Sequence, residues 1–382
     1  MTEPSDIAAP PAHPAPEARP DATAMAPALP GPADPSAGTP PGRPAPGVGL
    51  FAAVTLAPVL PILLGAAVGG WWCWLALLWI AGLMLALDRL LPPAPDAPEG
   101  AEFPEADLLC VGLGAVHLAV LLAAVAGLAG LSGLGIWDRV ALFWAAGLFL
   151  GQVSNATAHE LIHRLDRRLF RLGQWIYISL LYGHHVSAHR LVHHPLVATR
   201  ADPNTAVLGE SFWAFLRQAW PGEARAAWAA ERARAPGWGW TPVCTALLGG
   251  VGFIWGMVLL FGLPGLLAYL ALAAYAQMQS LLSDYVQHYG LERRQTATGY
   301  EPVTPAHSWD AAAPVSALWL LNAPRHSDHH AHPARPYPAL RLSPGGHPML
   351  PHSLPVMATI ALLPRLWHRI MDPRVRRLYR PL

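Results

Sequence analysis

The sequence predicts an all-α integral membrane protein with six transmembrane helices beneath a cytoplasmic cap rich in histidine. Three observations carry this reading. The chain of 382 residues is 53% hydrophobic and only 13% charged, about half the roughly 25% charged content of soluble domains. Its apolar residues gather into six runs, each close to the roughly 20 residues that span a bilayer. Its histidines cluster just beyond the ends of two of those runs. The formal net charge of +1 gives no electrostatic case for a nucleic-acid partner. Cys73, Cys110 and Cys244 stand apart in apolar sequence with no CxxC pair, so neither disulfides nor an iron–sulfur segment is expected.

Residues 1–46 are dominated by Pro and Ala. Such a stretch buries too little apolar surface to offset the entropy of ordering, and reads as a disordered cytoplasmic tail ahead of a membrane domain over 47–382. Apolar runs follow at about 48–68, 71–91, 107–131 and 139–158, then at 243–262 and 264–283. Gly69-Gly70, Ser132-Gly133 and Gly262-Leu263-Pro264-Gly265 separate them into three hairpins. Arginine is nearly absent from these tight turns and frequent in the opposite loops, at Arg89, Arg164, Arg167, Arg168, Arg171, Arg190, Arg293, Arg294 and Arg325. That asymmetry places the termini and long loops in the cytoplasm. Residues 174–183 are too short to span and read as interfacial or re-entrant. Residues 205–240 read as amphipathic helix on the membrane surface. The proline-rich stretch 332–355 is expected to wrap the cytoplasmic face, and 354–367 is short for a span.

The chemistry lies in four histidine-bearing stretches. His159 and His163 sit four apart, as do His189 and His193, with His194 adjacent; His326, His329 and His330 repeat the theme. Residues three or four apart share one helix face, and imidazole is a common ligand for iron, zinc, copper and nickel. With His288, directly after the sixth run, the set offers nine imidazoles. That is too many for one ion and suits two ions with open positions. Glu160, Asp202, Asp284 and Asp328 lie among the clusters as candidate carboxylate partners for the imidazole N–H groups, with Asp202 and Asp328 preferred. The HExxH pattern at 159–163 alone reads equally as a zinc protease, but a protease needs one more ligand rather than seven more histidines. His117, inside the third run, is expected to hydrogen-bond a neighbouring helix. His184 and His185 are candidates for a supporting role, and His307, His332, His347, His352 and His368 are expected not to ligate.

HELIHR at 159–164, HRLVHH at 189–194 with VATRADPNTA after it, DYVQHYGL at 284–291 and RHSDHHAHPARPYPAL at 325–340 together resemble the membrane-bound alkane 1-monooxygenase family, within the histidine-rich di-iron oxygenases and desaturases. The resemblance spans roughly residues 47–375. It implies a di-iron cap with all nine histidines as iron ligands, two non-haem iron ions as cofactor and O2 as co-substrate. It further implies terminal hydroxylation of medium- or long-chain n-alkanes to primary alcohols in the bacterial inner membrane. The implied electron donor is a rubredoxin or ferredoxin-like protein, reduced by an NAD(P)H-dependent reductase. Arg335, Arg374, Arg376, Arg377 and Arg380 offer an acidic donor a basic face. The family commonly has Glu at the position of Ala188, and Asn and Glu at those of Asp284 and Gln287. Xylene-type alkyl-aromatic hydroxylation, fatty-acyl hydroxylation or desaturation, and HExxH zinc proteolysis are the alternative readings.

Overall fold

The computed structural model describes residues 45–235, 239–342 and 347–379. The expected tail lies outside these residues except for its last two positions. The chain is predominantly helical, and five of its helices are long and apolar enough to cross a membrane. These are α1 (Val48–Val68), α2 (Trp71–Leu90), α3 (Glu105–Ala129), α4 (Ile136–Ile162) and, later in the chain, α8 (Pro242–His288). The protein is accordingly a multi-pass membrane protein.

Local sequence sets the boundaries. Gly69 and Gly70 both take positive φ, 68° and 65°, and turn α1 into α2. Gly130, at φ 98°, ends α3 in the left-handed conformation that glycine adopts without a Cβ penalty. Thr241 caps α8 by accepting from the Cys244 N–H, with Pro242 in the first turn, where no N–H is needed.

The fifth and sixth expected spans lie in one stretch of 47 residues, two helices meeting at a kink at Gly262. Only Gly262, at φ 65° and ψ −163°, leaves helical geometry, and Pro264 falls in the first turn after it. The chain reverses there. Gly249 lies against Ile178, while the Tyr269 hydroxyl donates to the Ser179 carbonyl at 2.8 Å. In a straight helix those two positions would stand about 30 Å apart.

The stretch expected to be interfacial or re-entrant is largely buried in the protein. Helix α5 (Arg167–Ser179), capped by Asp166 accepting from Arg168 and Leu169 N–H, buries Gly173, Gln174, Ile176, Tyr177, Ile178 and Ser179. Its backbone packs close to α4, with Gly173 against the Ala158 carbonyl. His117 of α3 hydrogen-bonds Ser179 at 2.6 Å.

A short helical segment, α6 (185–196), follows, and its middle turn His189–His193 is a π-turn. Helix α7 (Phe212–Arg234) starts at the Ser211 cap. It is amphipathic in an unexpected sense, because its buried stripe carries Glu223 and Glu231 among Phe215, Ala219 and Ala227. After α8 come a two-residue hairpin, β1 (Gln295–Thr296) with β2 (Gly299–Tyr300), then α9 (Pro314–Trp319) and α10 (His326–Ala331). The chain ends in α11 (Leu354–Ala361) and α12 (Pro364–Leu378), neither long enough to cross a bilayer. The proline-rich stretch packs inward at Tyr337, which is fully buried and meets Phe51 of α1 edge-on at 4.9 Å.

Candidate metal centre

The nine histidines converge. His159, His163, His189, His194 and His329 form one nest, and His193, His288, His326 and His330 form a second, each with its ligand nitrogens within 4.8 Å of one another. Four elements supply them. Helix α4 brings His159 and, at its end, His163. Helix α6 brings His189, His193 and His194, the last residues of α8 bring His288, and α10 brings the remaining three. The π-turn of α6 matters here. Its hydrogen bonds run five residues apart, the His194 N–H donating to the His189 carbonyl. That brings His189 and His194 together edge-on, their Nε2 atoms 2.9 Å apart, and turns His193 toward the other nest.

The donor set fits metal ions. Nε2 atoms face one another at 3.2 Å for His329 and His194, 3.0 Å for His288 and His326, and 3.1 Å for His330 and His326. Two nitrogens bound at right angles to one ion, each about 2.1 Å from it, lie about 3.0 Å apart. The Nε2 atoms of His163 and His193 are buried without a hydrogen-bond partner. Burial also keeps most of these rings neutral, leaving lone pairs free. It lowers His163 to about 3 and holds His189, His194, His326, His329 and His330 well below the ordinary value. His193 differs. Burial lowers it, but the Asp202 carboxylate outweighs burial and raises it to about 9.

Asp202 accepts from His193 Nδ1 at 2.8 Å and is steadied by the Thr205 hydroxyl and the Asn204 N–H. It fixes the tautomer that turns His193 Nε2 into the nest. His288 Nδ1 donates to the His307 carbonyl at 3.1 Å. The other expected carboxylates do not touch a ligand ring. Asp328 binds His332, Arg335 and the Arg341 N–H, because its helical position points away from the face shared by His326, His329 and His330. That also commits Arg335, leaving the basic face to Arg374, Arg376 and Arg377, with Arg380 outside the described residues. Glu160 faces Arg164 at 2.6 Å and the Tyr337 N–H at 3.0 Å, away from where the general base of a HExxH protease would stand. Asp284 accepts from Asn204 Nδ2 at 2.9 Å.

Sequence reasoning missed two groups. Glu223 is wholly buried between the Tyr182 hydroxyl at 2.6 Å and His185 Nδ1 at 2.5 Å. Burial pushes its carboxyl up, but His185 outweighs that and holds it below the ordinary range. The signal was present: Glu223 and Glu231 fall on the same four-residue stripe as Phe215, Ala219 and Ala227. Asp310 secures the start of α10, accepting from the Ser327 N–H at 2.8 Å and its hydroxyl at 2.6 Å.

A cavity of about 330 Å³ leads to the nests. Its outer wall is Trp144, Leu148, Met278 and Leu354, and its inner end meets His159, His189 and His326, so it touches both nests. Gln152 and Gln279 also line it, their side chains paired at 3.1 Å.

Comparison with known proteins agrees with this architecture. A family model described as fatty acid desaturase matches residues 139–343. Alkane 1-monooxygenase 2 of Pseudomonas aeruginosa is 32% identical over 332 residues, covering 81% of this chain and 85% of that protein. The chain belongs to the alkane 1-monooxygenase family. Alkane 1-monooxygenase of Pseudomonas putida is 34% identical over 251 residues, covering 63% of this chain and 61% of its own. The xylene/toluene monooxygenase hydroxylase component of Pseudomonas putida is 26% identical over 348 residues, covering 82% and 85%.

Proposed function

We infer that the protein is an alkane 1-monooxygenase that hydroxylates the terminal carbon of medium- or long-chain n-alkanes to primary alcohols. The observation that carries this is the apolar cavity ending against both histidine nests. Family membership supports the reaction class. Two non-haem iron ions held by the nine histidines would supply the O2 activation that no amino-acid side chain provides.

The residues of this chain do the rest. The cavity wall aligns the hydrocarbon with its terminal methyl toward the nests and keeps bulk water out. Asp202 holds the proton on His193 Nδ1, and the His307 carbonyl does the same for His288. An alkane entering from lipid gains almost nothing from burial alone, since the roughly 0.8 kcal/mol per CH2 is a gain against water. Wall shape therefore selects the substrate.

The reversal at Gly262 supports six crossings, with both described termini on one side. Arginine placement supports a cytoplasmic cap in the bacterial inner membrane. The electron donor is a rubredoxin or ferredoxin-like protein served by an NAD(P)H-dependent reductase. Alkyl-aromatic hydroxylation is the second reading, favoured by the similarity to the xylene/toluene component.

The test is product analysis. The chain, expressed with a rubredoxin and its reductase in a host that oxidises no alkanes, is given n-alkanes, p-xylene and a fatty-acid ester under labelled oxygen. Labelled 1-alkanol that disappears in His326→Ala is the expected result. Labelled benzylic alcohol alone would move the protein to the second reading, and no labelled product would overturn both.

A further inference from the structure

The cavity is mostly apolar, but it also carries polar side chains, Gln152 and Gln279 among them. Among the polar groups outside both nests that line it are His185 and Asp284. His185 is 2% exposed. Glu223 accepts from its Nδ1, and its ring stacks on Tyr182 at 4.6 Å and 17°, so it cannot turn. The Nε2 on the far edge has no protein partner among the described residues. Asp284 is 7% exposed; one oxygen accepts from Asn204, and the other has no partner among the described residues. Asn204 also reaches Glu223 at 3.5 Å, tying the two walls together.

A carboxylate oxygen, and an imidazole nitrogen whose sister carries the proton, are both acceptors. A hydrocarbon satisfies neither, and buried acceptors are normally paired. The group that would pair them is an O–H arriving at the reacting end, and a terminal hydroxylation creates one there.

We propose that His185 and Asp284 form a binding site for the hydroxyl of a primary alcohol, so that a 1-alkanol is held at the inner end of the cavity as a ligand. This rests on the hydroxylase reading and adds product recognition to it. Hydroxyl and acceptors meet at the end where the bond forms, and the alkyl chain keeps the position it had as substrate.

The test is displacement of a labelled n-alkane from the metal-loaded protein in lipid nanodiscs, without electron donor so that nothing turns over. The competitors are the 1-alkanol and the n-alkyl methyl ether of equal chain length. The ether keeps an acceptor oxygen but cannot donate. The alcohol is expected to displace the label at about tenfold lower concentration than the ether, the equivalent of one added hydrogen bond. The double variant H185F/E223Q, which avoids leaving a carboxylate buried alone, is expected to erase most of that preference.

Metal content reports folding of the variant. Should the double variant not hold metal, D284N carries the same test: its oxygen stays with Asn204 and its NH2 turns a donor to the cavity, favouring the ether. Alcohol and ether displacing alike in the native protein would overturn the hydroxyl site and leave the hydroxylase reading standing. A preference that survives in the variants would also overturn it. Failure of the n-alkane to bind the native protein would overturn both.

Discussion

His193 and His194 are consecutive in the chain and serve different nests. His329 and His330 divide in the same way. Each adjacent pair ties one nest to the other through a single peptide unit, which would constrain the separation of any ions the nests hold.

This division predicts which ion each substitution removes. His193→Ala takes a ligand from the four-histidine nest, and His194→Ala takes one from the five-histidine nest. Each variant should fall from two metal ions per chain to about one, since a site missing one ligand loses much of its affinity. Elemental analysis checks the ratio, and loss of both ions from either variant would argue against separate nests.

Asp202 and Asp328 should behave differently although both sit beside histidines. Asp202→Asn removes the carboxylate charge that holds the proton on His193 Nδ1 and should weaken metal binding about 10- to 100-fold. Asp328→Asn disturbs Arg335 and the Arg341 N–H instead. It should lower the melting temperature with metal affinity nearly unchanged. Chelator competition alongside thermal unfolding separates the two.

Close packing of α4 on α5 should control loading from outside the site. A Cβ at Gly173 would lie 2.8 Å from the backbone carbonyl of Ala158, next to His159. Gly173→Ala must push the helices apart, at a cost of about 1–3 kcal/mol. The expected result is a lower melting temperature together with reduced metal content. A variant stable and fully loaded would show that α4 can shift without moving His159.

Acid should destabilise the metal-free protein. His163, His189, His194, His326, His329 and His330 have folded values below the unfolded one near 6.5. Below that pH the unfolded chain takes up protons the folded chain refuses, so stability falls with falling pH. His193, raised to about 9, acts in the opposite sense. Its contribution is fully present below about 6.5 and is lost as pH rises toward 9. The melting temperature of the stripped protein should therefore drop between pH 7 and pH 5.

The membrane-spanning segments and the nine histidines were legible because both signals are local. An apolar run of spanning length and an i, i+4 imidazole pair need no knowledge of the tertiary fold. The assignment of His193 and His194 to different nests was not legible, because it depends on a π-turn that neither residue announces. Asp328 was misplaced for a related reason, since proximity in sequence to ligands says nothing about helix face. Residues 174–183 are too short to span and fit an interfacial or re-entrant segment, but their packing, where Gly173 lets two helices touch, depends on the tertiary fold. Glu223 was overlooked because a carboxylate on an amphipathic helix is normally assigned to the solvent side.

The nests draw on residues from His159 to His330, and this has a bearing on how the protein is made. Four helices can enter the bilayer while the ribosome is still reading the second half of the message. Neither nest is complete until α10 has been synthesised and folded back over the cap. A metal ion delivered earlier would meet at most His159, His163, the α6 cluster and His288. Maturation of the enzyme is therefore a late event, set by the arrival of its third histidine cluster and not by membrane insertion.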